Sequence, residues 1–232
     1  EAYGGLGGKS TDLMIVMEQF GKGLVVEPYL PTVILAGGLI SKLGSEEQKN
    51  SIIPEIISGN IRCAFAYAEP QSRFDLNDVK TTAVLNGDDY VLNGFKSVVF
   101  GAGMASHLII SARTDGDQRS ESGITLFIVD TKSDGLTLQN YPTIDEYRAS
   151  EVIIENLKVS KDNVLGKVNM AYDAIEEIVD ISTIAACSEA VGILQVLKDS
   201  TTEYCKNRKQ FGQSIAKNQV IQHRLVDMMI EY

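Results

Sequence analysis

The sequence predicts an α+β protein: a helical N-terminal part, a central antiparallel β-barrel or sandwich, and an incomplete C-terminal helical bundle. Three observations predict it. Residues 9–59 carry apolar side chains at helical spacing. Residues 61–160 break into short apolar runs separated by turn residues, with no helical pattern between them. Residues 168–232 return to helical spacing, with no Pro and only Gly192 between Met170 and Asn207. Many short strands framed by helices indicate an antiparallel sheet structure rather than βαβ units. The corresponding domains are residues 1–60, 61–166 and 167–232.

Each element follows from local rules. Ser10 or Thr11 is expected to cap a first helix whose Leu13, Ile15, Val16, Met17 and Phe20 favour one face, with Gly21 and Gly23 ending it. Residues 29–43 read as a second helix, apolar on most sides and therefore buried. Gly37 and Gly38 inside it imply a close approach of a helix or a ligand. Ser45 and Gln48 form a capping box for a third helix, which runs to Ile57 and closes at Ser58 and Gly59. Residues 81–85 and 90–92 flank Asn-Gly-Asp-Asp, a hairpin signal. Asn93-Gly94 reads as a further turn before a strand at 95–100. Other strands fit 107–112, 124–130, 136–138 and 152–157. The pattern from 170 to 207 predicts one long helix or two stacked end to end, and another helix begins near Lys217 and runs past Met229. No linker or low-complexity tract separates these zones, so one compact unit is expected.

Composition narrows the function. The chain has 232 residues, 44% hydrophobic, and a net charge of −10, which suits a soluble globular protein and argues against a nucleic-acid surface. No apolar run approaches the roughly 20 residues that span a bilayer. Cys63, Cys187 and Cys205 lack any short metal or redox spacing and read as packed, reduced thiols of a cytoplasmic protein. Only His107 and His223 are available to a histidine-based metal site. The Gly-rich start and the uncapped amphipathic end predict a piece of a longer protein.

Two stretches hold side chains suited to ligand chemistry. Residues 208–212, Arg-Lys-Gln-Phe-Gly, combine a guanidinium that can fork a phosphate, an aromatic that can lie on a ring system and a Gly that permits a tight turn. That suits a dinucleotide, but from these residue types alone a solvated helix end with dipole-complementing cations is the favoured reading. Residues 63–75, CAFAYAEPQSRFD, are a strand running into an acid-proline turn, either a plain turn or the rim of a site.

The motifs resemble a known family. NRKQFGQSIAKNQVIQHRLVDM, from Asn207 to Met228, is similar to the acyl-CoA dehydrogenase signature of R-x-x-F-G, an isoleucine, a glutamine and a closing D-M. The opening EAYGGLG resembles that family's E-x-Y-G-G-x-G, YVLNGFK resembles its Y-x-L-N-G-x-K hairpin, and residues 66–75 sit where it has a strand ending T-E-P-G-x-G-S-D. The resemblance implies a helical, β, helical fold in a dimer or tetramer, homo- or hetero-oligomeric. It implies FAD as cofactor, oxidation of an acyl-CoA thioester to a trans-2-enoyl-CoA, and an electron-transfer flavoprotein or similar acceptor as partner.

Carried over position by position, the resemblance places Arg208 at the pyrophosphate of a neighbouring subunit's FAD and Phe211 near its adenine half, with Gln210 and Gln219 assisting. Phe65, Tyr67 and Ala68 lie on the flavin-facing strand, and Val98 and Phe100 on the strand covering the flavin. The family's flavin-bonding Thr is Ala68 here, its W-I-T is Val98-Val99-Phe100, and the serine of G-S-D is Phe74, with Arg73 in place of the preceding Gly. These replacements remove ring- and phosphate-fixing donors and imply an altered or partly disused pocket. On the substrate side Phe74 and Asp180 hold family positions, and Thr183 replaces an arginine. The catalytic glutamate is expected outside this sequence. The minority position on the long helix holds Ser182 and Thr183, which are not bases at neutral pH. Within the family, the departures resemble the small-subunit type of pimeloyl-CoA dehydrogenase, built from unlike subunits. Two readings follow: an FAD-dependent dehydrogenase subunit, or a degenerate structural subunit that supports a partner's FAD.

Overall fold

Local sequence rules place most of the helices. The computed structural model describes residues 2–232. The first helix, α1 (Ser10–Gly23), is capped by Lys9, not by Ser10 or Thr11; the Lys9 N–H donates to Asp12 Oδ2 at 2.7 Å. Gly21 lies inside α1 rather than ending it, and Leu24, at φ 49°, terminates the helix. The expected second helix is a π-helical segment, Leu30–Gly37, continuing into α2 (Gly38–Leu43). A Cβ on Gly38 would fall 2.3 Å from Ile178 Cδ1, so that glycine allows a close helical approach. The capping box forms as read: Gln48 N–H donates to Ser45 Oγ, and Ser45 N–H to Gln48 Oε1, opening α3 (Glu46–Ile57).

Strands β1 (Cys63–Ala66), β2 (Thr82–Asn86), β3 (Asp89–Phe100), β4 (His107–Arg113), β5 (Ile124–Asp130), β6 (Leu136–Pro142), β7 (Arg148–Ser160) and β8 (Val164–Leu165) follow. They make one open eight-stranded sheet in the order β6-β7-β3-β2-β4-β5-β8, with β1 beside β4. The barrel alternative is therefore corrected, and so is the all-antiparallel expectation. β1 pairs with β4 in parallel, and β2 meets β4 in parallel at Thr82 and Arg113. The 40 residues between β1 and β4 supply the long connection that a parallel pair needs. The Asn86–Asp89 hairpin forms as read. Asn93-Gly94 is no turn: it lies inside β3 at a register shift against β7, where a Gly94 Cβ would come 2.4 Å from Thr81 Oγ1.

Period-2 alternation divides the core in two. Cys63, Phe65, Ile109, Leu126 and Ile128 face the helices with Leu39, Ile40 and Ile175. Ala64, Ala66, Leu108, Ile110 and Phe127 face Tyr90, Leu92, Val152 and Leu157 of the rest of the sheet. Strands β1, β4 and β5 are thus buried on both faces, which is why they read as unbroken apolar runs.

The C-terminal zone is a single 36-residue helix, α4 (Tyr172–Asn207), a small hairpin of β9 (Lys209–Gln210) and β10 (Gln213–Ser214), and α5 (Gln219–Glu231). The chain divides into two compact units rather than one: Val26–Ser182 with residues 2–7, and Gly8–Val25 with Thr183–Tyr232. In the second, α1 crosses α4 at two glycines. A Cβ on Gly21 would lie 2.0 Å from Glu189 O, and one on Gly192 2.0 Å from Glu18 O. All three cysteines are free. Cys63 and Cys205 are buried, whereas Cys187 is exposed on α4, against the packed position expected for it. Among the described residues no helix is long and apolar enough to cross a membrane, and no cluster of His, Cys, Asp or Glu could hold a metal ion.

Candidate functional site

The end of β1 meets a bulge in β3. Between Lys96 and Val99 the register of β3 shifts against β7, and Val98 adopts φ 52°. That is an outlying conformation for a β-branched residue, and bulges re-aim side chains. Val98 and Phe100 are 46% and 42% exposed, while Val99 between them is buried. The Ser97 N–H donates to Ala68 O at 2.9 Å, which fixes the bulge against the residue that precedes Glu69. The structure thus sets Ala68 beside the bulge that carries Val98, with Phe100 two residues further along β3. Phe65 and Tyr67 are turned differently. Their rings lie 4.9 Å apart, tilted by 32°, and pack against the helix-facing core. Burial pushes the Tyr67 phenol above its ordinary value.

Under this rim lies a buried ionic network that the sequence reading passed over. Lys96 is fully buried, and its ammonium donates to Glu69 Oε1 at 2.8 Å, Ser111 Oγ at 3.0 Å and Tyr67 O at 3.4 Å. Glu69 also accepts from Thr81 N–H and Oγ1, Lys80 N–H and Gln71. Gln71 bridges to the buried Asp78, which accepts from Gln118 and pairs with Arg119. Burial alone pushes the Glu69 carboxyl up, but Lys96, Gln71 and Thr81 together hold it below its ordinary value. Burial pushes the Lys96 ammonium down to about 8, against the pull of Glu69. Both groups are therefore charged at neutral pH. One signal for this pair was legible: with Tyr90 and Leu92 facing inward, period 2 carries Gly94 and Lys96 to the same face, and a lysine there needs a buried anion.

The 69–75 turn keeps its backbone shape despite its substitutions. Ser72 Oγ donates to Glu69 O and accepts from Glu69 N–H, and Asp75 N–H reaches Ser72 O. Arg73, where the family pattern has glycine, sits at φ 49°. Phe74 is 96% exposed. Arg113 ties the neighbouring 114–123 loop by donating to the carbonyls of Ser120, Ser122, Asn77 and Gln118. Arg119 also lines a polar cleft of about 600 Å³ with Asn77, Ser120, Asn169 and Tyr172, which includes none of the residues predicted from motifs.

The other predicted residues stand at the surface. Asp180 and Thr183 are exposed on α4. Residues 208–212 are an ordered hairpin: Arg208 N–H bonds Tyr204 O, and Ile215 N–H returns to Arg208 O. Phe211 (φ 51°) and Gly212 (φ 79°) form its turn. Arg208, Gln210, Phe211 and Gln219 are all exposed, Phe211 completely. Among the described residues Arg208 has no ion-pair partner. An apolar, half-exposed face beside ordered backbone fits a flat aromatic ring, and an unpaired guanidinium fits a phosphate. Ala68 and Phe100 lack hydroxyls, so these two positions can bond such a ring only through their backbones.

Three models of one family match consecutive parts of the chain: acyl-CoA dehydrogenase N-terminal domain over residues 1–60, middle domain over 64–157 and C-terminal domain over 172–232. Among curated relatives, the chain is 35% identical to caffeyl-CoA reductase-Etf complex subunit CarC of Acetobacterium woodii, across 98% of this chain and 61% of that protein. It is 34% identical to the 3-(aryl)acrylate reductase of Clostridium sporogenes, across 97% of this chain and 61% of that protein. Among solved structures, butyryl-CoA dehydrogenase from Megasphaera elsdenii superposes with a TM-score of 0.90 at 29% identity, covering 99% of this chain and 62% of that one. The chain spans about three fifths of the length of the relatives it matches.

Proposed function

The chain belongs to the acyl-CoA dehydrogenase family, and from that premise we propose that it is part of an FAD-dependent oxidoreductase subunit that interconverts a saturated acyl-CoA and its trans-2-enoyl-CoA. The observation that carries this reading is a pair of half-exposed apolar residues on β3, Val98 and Phe100, with Ala68 bonded to the residue before Val98, within the stretch that matches the family's middle domain. When bound, FAD supplies the two-electron acceptor for the hydrogen on the β-carbon. In this reading the backbones of Phe65, Tyr67 and Ala68 supply polar contacts to the ring, and Val98 and Phe100 keep water from its face. Arg208, Phe211, Gln210 and Gln219 reach the cofactor of a neighbouring subunit. Phe74, Asp180 and Thr183 are each candidates, by family position, for contacts to the CoA thioester. No residue of this sequence is assigned as the base.

The direction of reaction follows the relatives. Two of them are named as reductases, and one is named as part of a complex with Etf, so an electron-transfer flavoprotein is the proposed redox partner and enoyl-CoA reduction is included in the activity. Free thiols fit a reducing, cytoplasmic setting. A second reading has support in specific residues. Ala68 and Phe100 lack hydroxyls while Arg208 is exposed and Phe211 fully so, which suits a degenerate subunit in a heteromer that completes a partner's flavin site.

One experiment separates them. The full-length protein, expressed alone and with its neighbouring subunit, is examined for bound flavin by its visible absorbance, then for flavin reduction by short, long, dicarboxylic and steroid-type acyl-CoAs. Flavin bound and reduced in the protein alone supports the self-sufficient enzyme. Flavin present only in the mixed oligomer establishes the supporting subunit, and no flavin in either overturns both readings.

A further inference from the structure

We propose that the buried Glu69–Lys96 ion pair positions the cofactor, setting the two backbone edges that grip the flavin: the stretch through Tyr67 and Ala68, and the bulge at Ser97 and Val98. The proposal rests on the flavin reading above and assigns a role to side chains that touch no ligand. Three consecutive residues at the end of β1 are each tied to Lys96 or its neighbour. Tyr67 O and the Glu69 carboxylate accept from the Lys96 ammonium, and Ala68 O accepts from Ser97 N–H. Ser111 Oγ fixes the ammonium from β4 at 3.0 Å. The next residue along β3 is Val98, held at φ 52°, a conformation that a β-branched residue adopts only under constraint. The constraint at hand is the Lys96 side chain on one side and the Ser97–Ala68 bond on the other.

An ion pair is an odd choice here if stability were its only role. Replacing a buried pair by apolar groups of similar volume is often neutral or stabilising. What a charged pair adds is direction. The Glu69 carboxylate holds Lys80 N–H at 2.8 Å and Thr81 N–H at 3.0 Å, so the segment leaving β1 and the segment entering β2 are both tied to Lys96 of β3. That lock matters more in this chain than in one with hydroxyls at the rim. With alanine at 68 and phenylalanine at 100, those two positions can bond the ring only through their backbones, and a backbone donor is only as well aimed as the segment that carries it. Lys96 is therefore a positioning residue acting through Ala68 and Val98.

The test uses the full-length protein in its native assembly, reconstituted with FAD. Variants Lys96→Met, Glu69→Gln with Lys96→Met, and Ser111→Ala are compared with wild type by thermal midpoint, FAD affinity and the visible circular dichroism of the bound flavin. Lys96→Met is expected to lose both stability and flavin. The double variant removes both charges, recovers most of the thermal midpoint, and still binds FAD at least tenfold more weakly with an altered flavin dichroism. Ser111→Ala keeps the charge pair and is expected to lower the midpoint by less than Lys96→Met does while still changing the flavin dichroism, so the proposal stays testable if the other variants do not fold. Wild-type affinity and dichroism in the double variant, or an unchanged flavin signal in Ser111→Ala, overturns the proposal by reducing the pair to a structural role. A wild-type protein that takes up no FAD overturns the flavin reading, and the proposal with it. The wild-type arm therefore tells the two failures apart.

Discussion

The rim at the end of β1 and the hairpin between α4 and α5 are both motif-bearing, and they are built in opposite ways. At the rim almost every polar group is satisfied from within the chain: Glu69 alone accepts from Lys96, Thr81, Lys80 and Gln71. At the hairpin the backbone is ordered, but Arg208, Gln210 and Phe211 project into solvent. The difference teaches that the two stretches do different jobs. The rim is preorganised by its own fold, so substitutions there are read first in stability. The hairpin offers side chains outward, so substitutions there are read in ligand retention and hardly at all in folding.

The largest expected effect falls on the rim. Lys96→Met strands a buried carboxylate and should cost roughly 3–5 kcal/mol in urea unfolding, the range for breaking a buried pair by removing one partner. The same pair sets an acid limit. Because Glu69 titrates below its ordinary value of 4.5 in the folded state, the unfolded state binds the extra proton. Its stabilisation is present above that value and is lost as pH falls through the folded value. The thermal midpoint should therefore drop below about pH 4.5 in wild type and drop less in the variant that lacks both charges. A midpoint equally acid-sensitive in both would separate Glu69 from the acid limit.

A smaller effect belongs to the helical crossing in the second unit. Gly192→Ala pushes a methyl group into the backbone at Glu18 and should destabilise by roughly 1–3 kcal/mol, the usual cost of overpacking. An unchanged midpoint would show that α1 moves aside freely. Smaller again, and opposite in sign, Arg73→Gly relieves a left-handed arginine and should stabilise by up to about 1 kcal/mol, the strain less the added entropy of glycine in the unfolded chain. A loss of stability would mean that the Arg73 side chain contributes contacts that outweigh its strain.

The smallest stability effect sharpens the contrast. Arg208→Ala should change unfolding by less than about 0.5 kcal/mol, as for other exposed sites, yet weaken FAD retention in the assembled protein after dialysis. Unchanged flavin occupancy would return Arg208 to the role of a cation at a helix end. A large loss of stability would erase the distinction between hairpin and rim.

What was legible in the sequence was whatever depends on neighbours along the chain. The Ser45–Gln48 capping box and the hairpin at Gly87 are set by interactions within a few residues and formed as read, and of the two alternatives for residues 170–207 the single long helix formed. The family motifs were equally local, and the resemblance they carry made Ala68, Val98, Phe100 and Arg208 candidates. Tertiary structure decided what a local rule leaves open. Gly21 looked like a helix end and is a helix crossing, because its reason lies at Glu189. Asn93-Gly94 looked like a turn and is an in-strand register shift, because Thr81 packs where its side chain would be. The Lys96–Glu69 pair joins residues 27 positions apart. Burial in a low-dielectric interior makes such a pair consequential, and burial is a property of the folded chain that no stretch of sequence carries by itself.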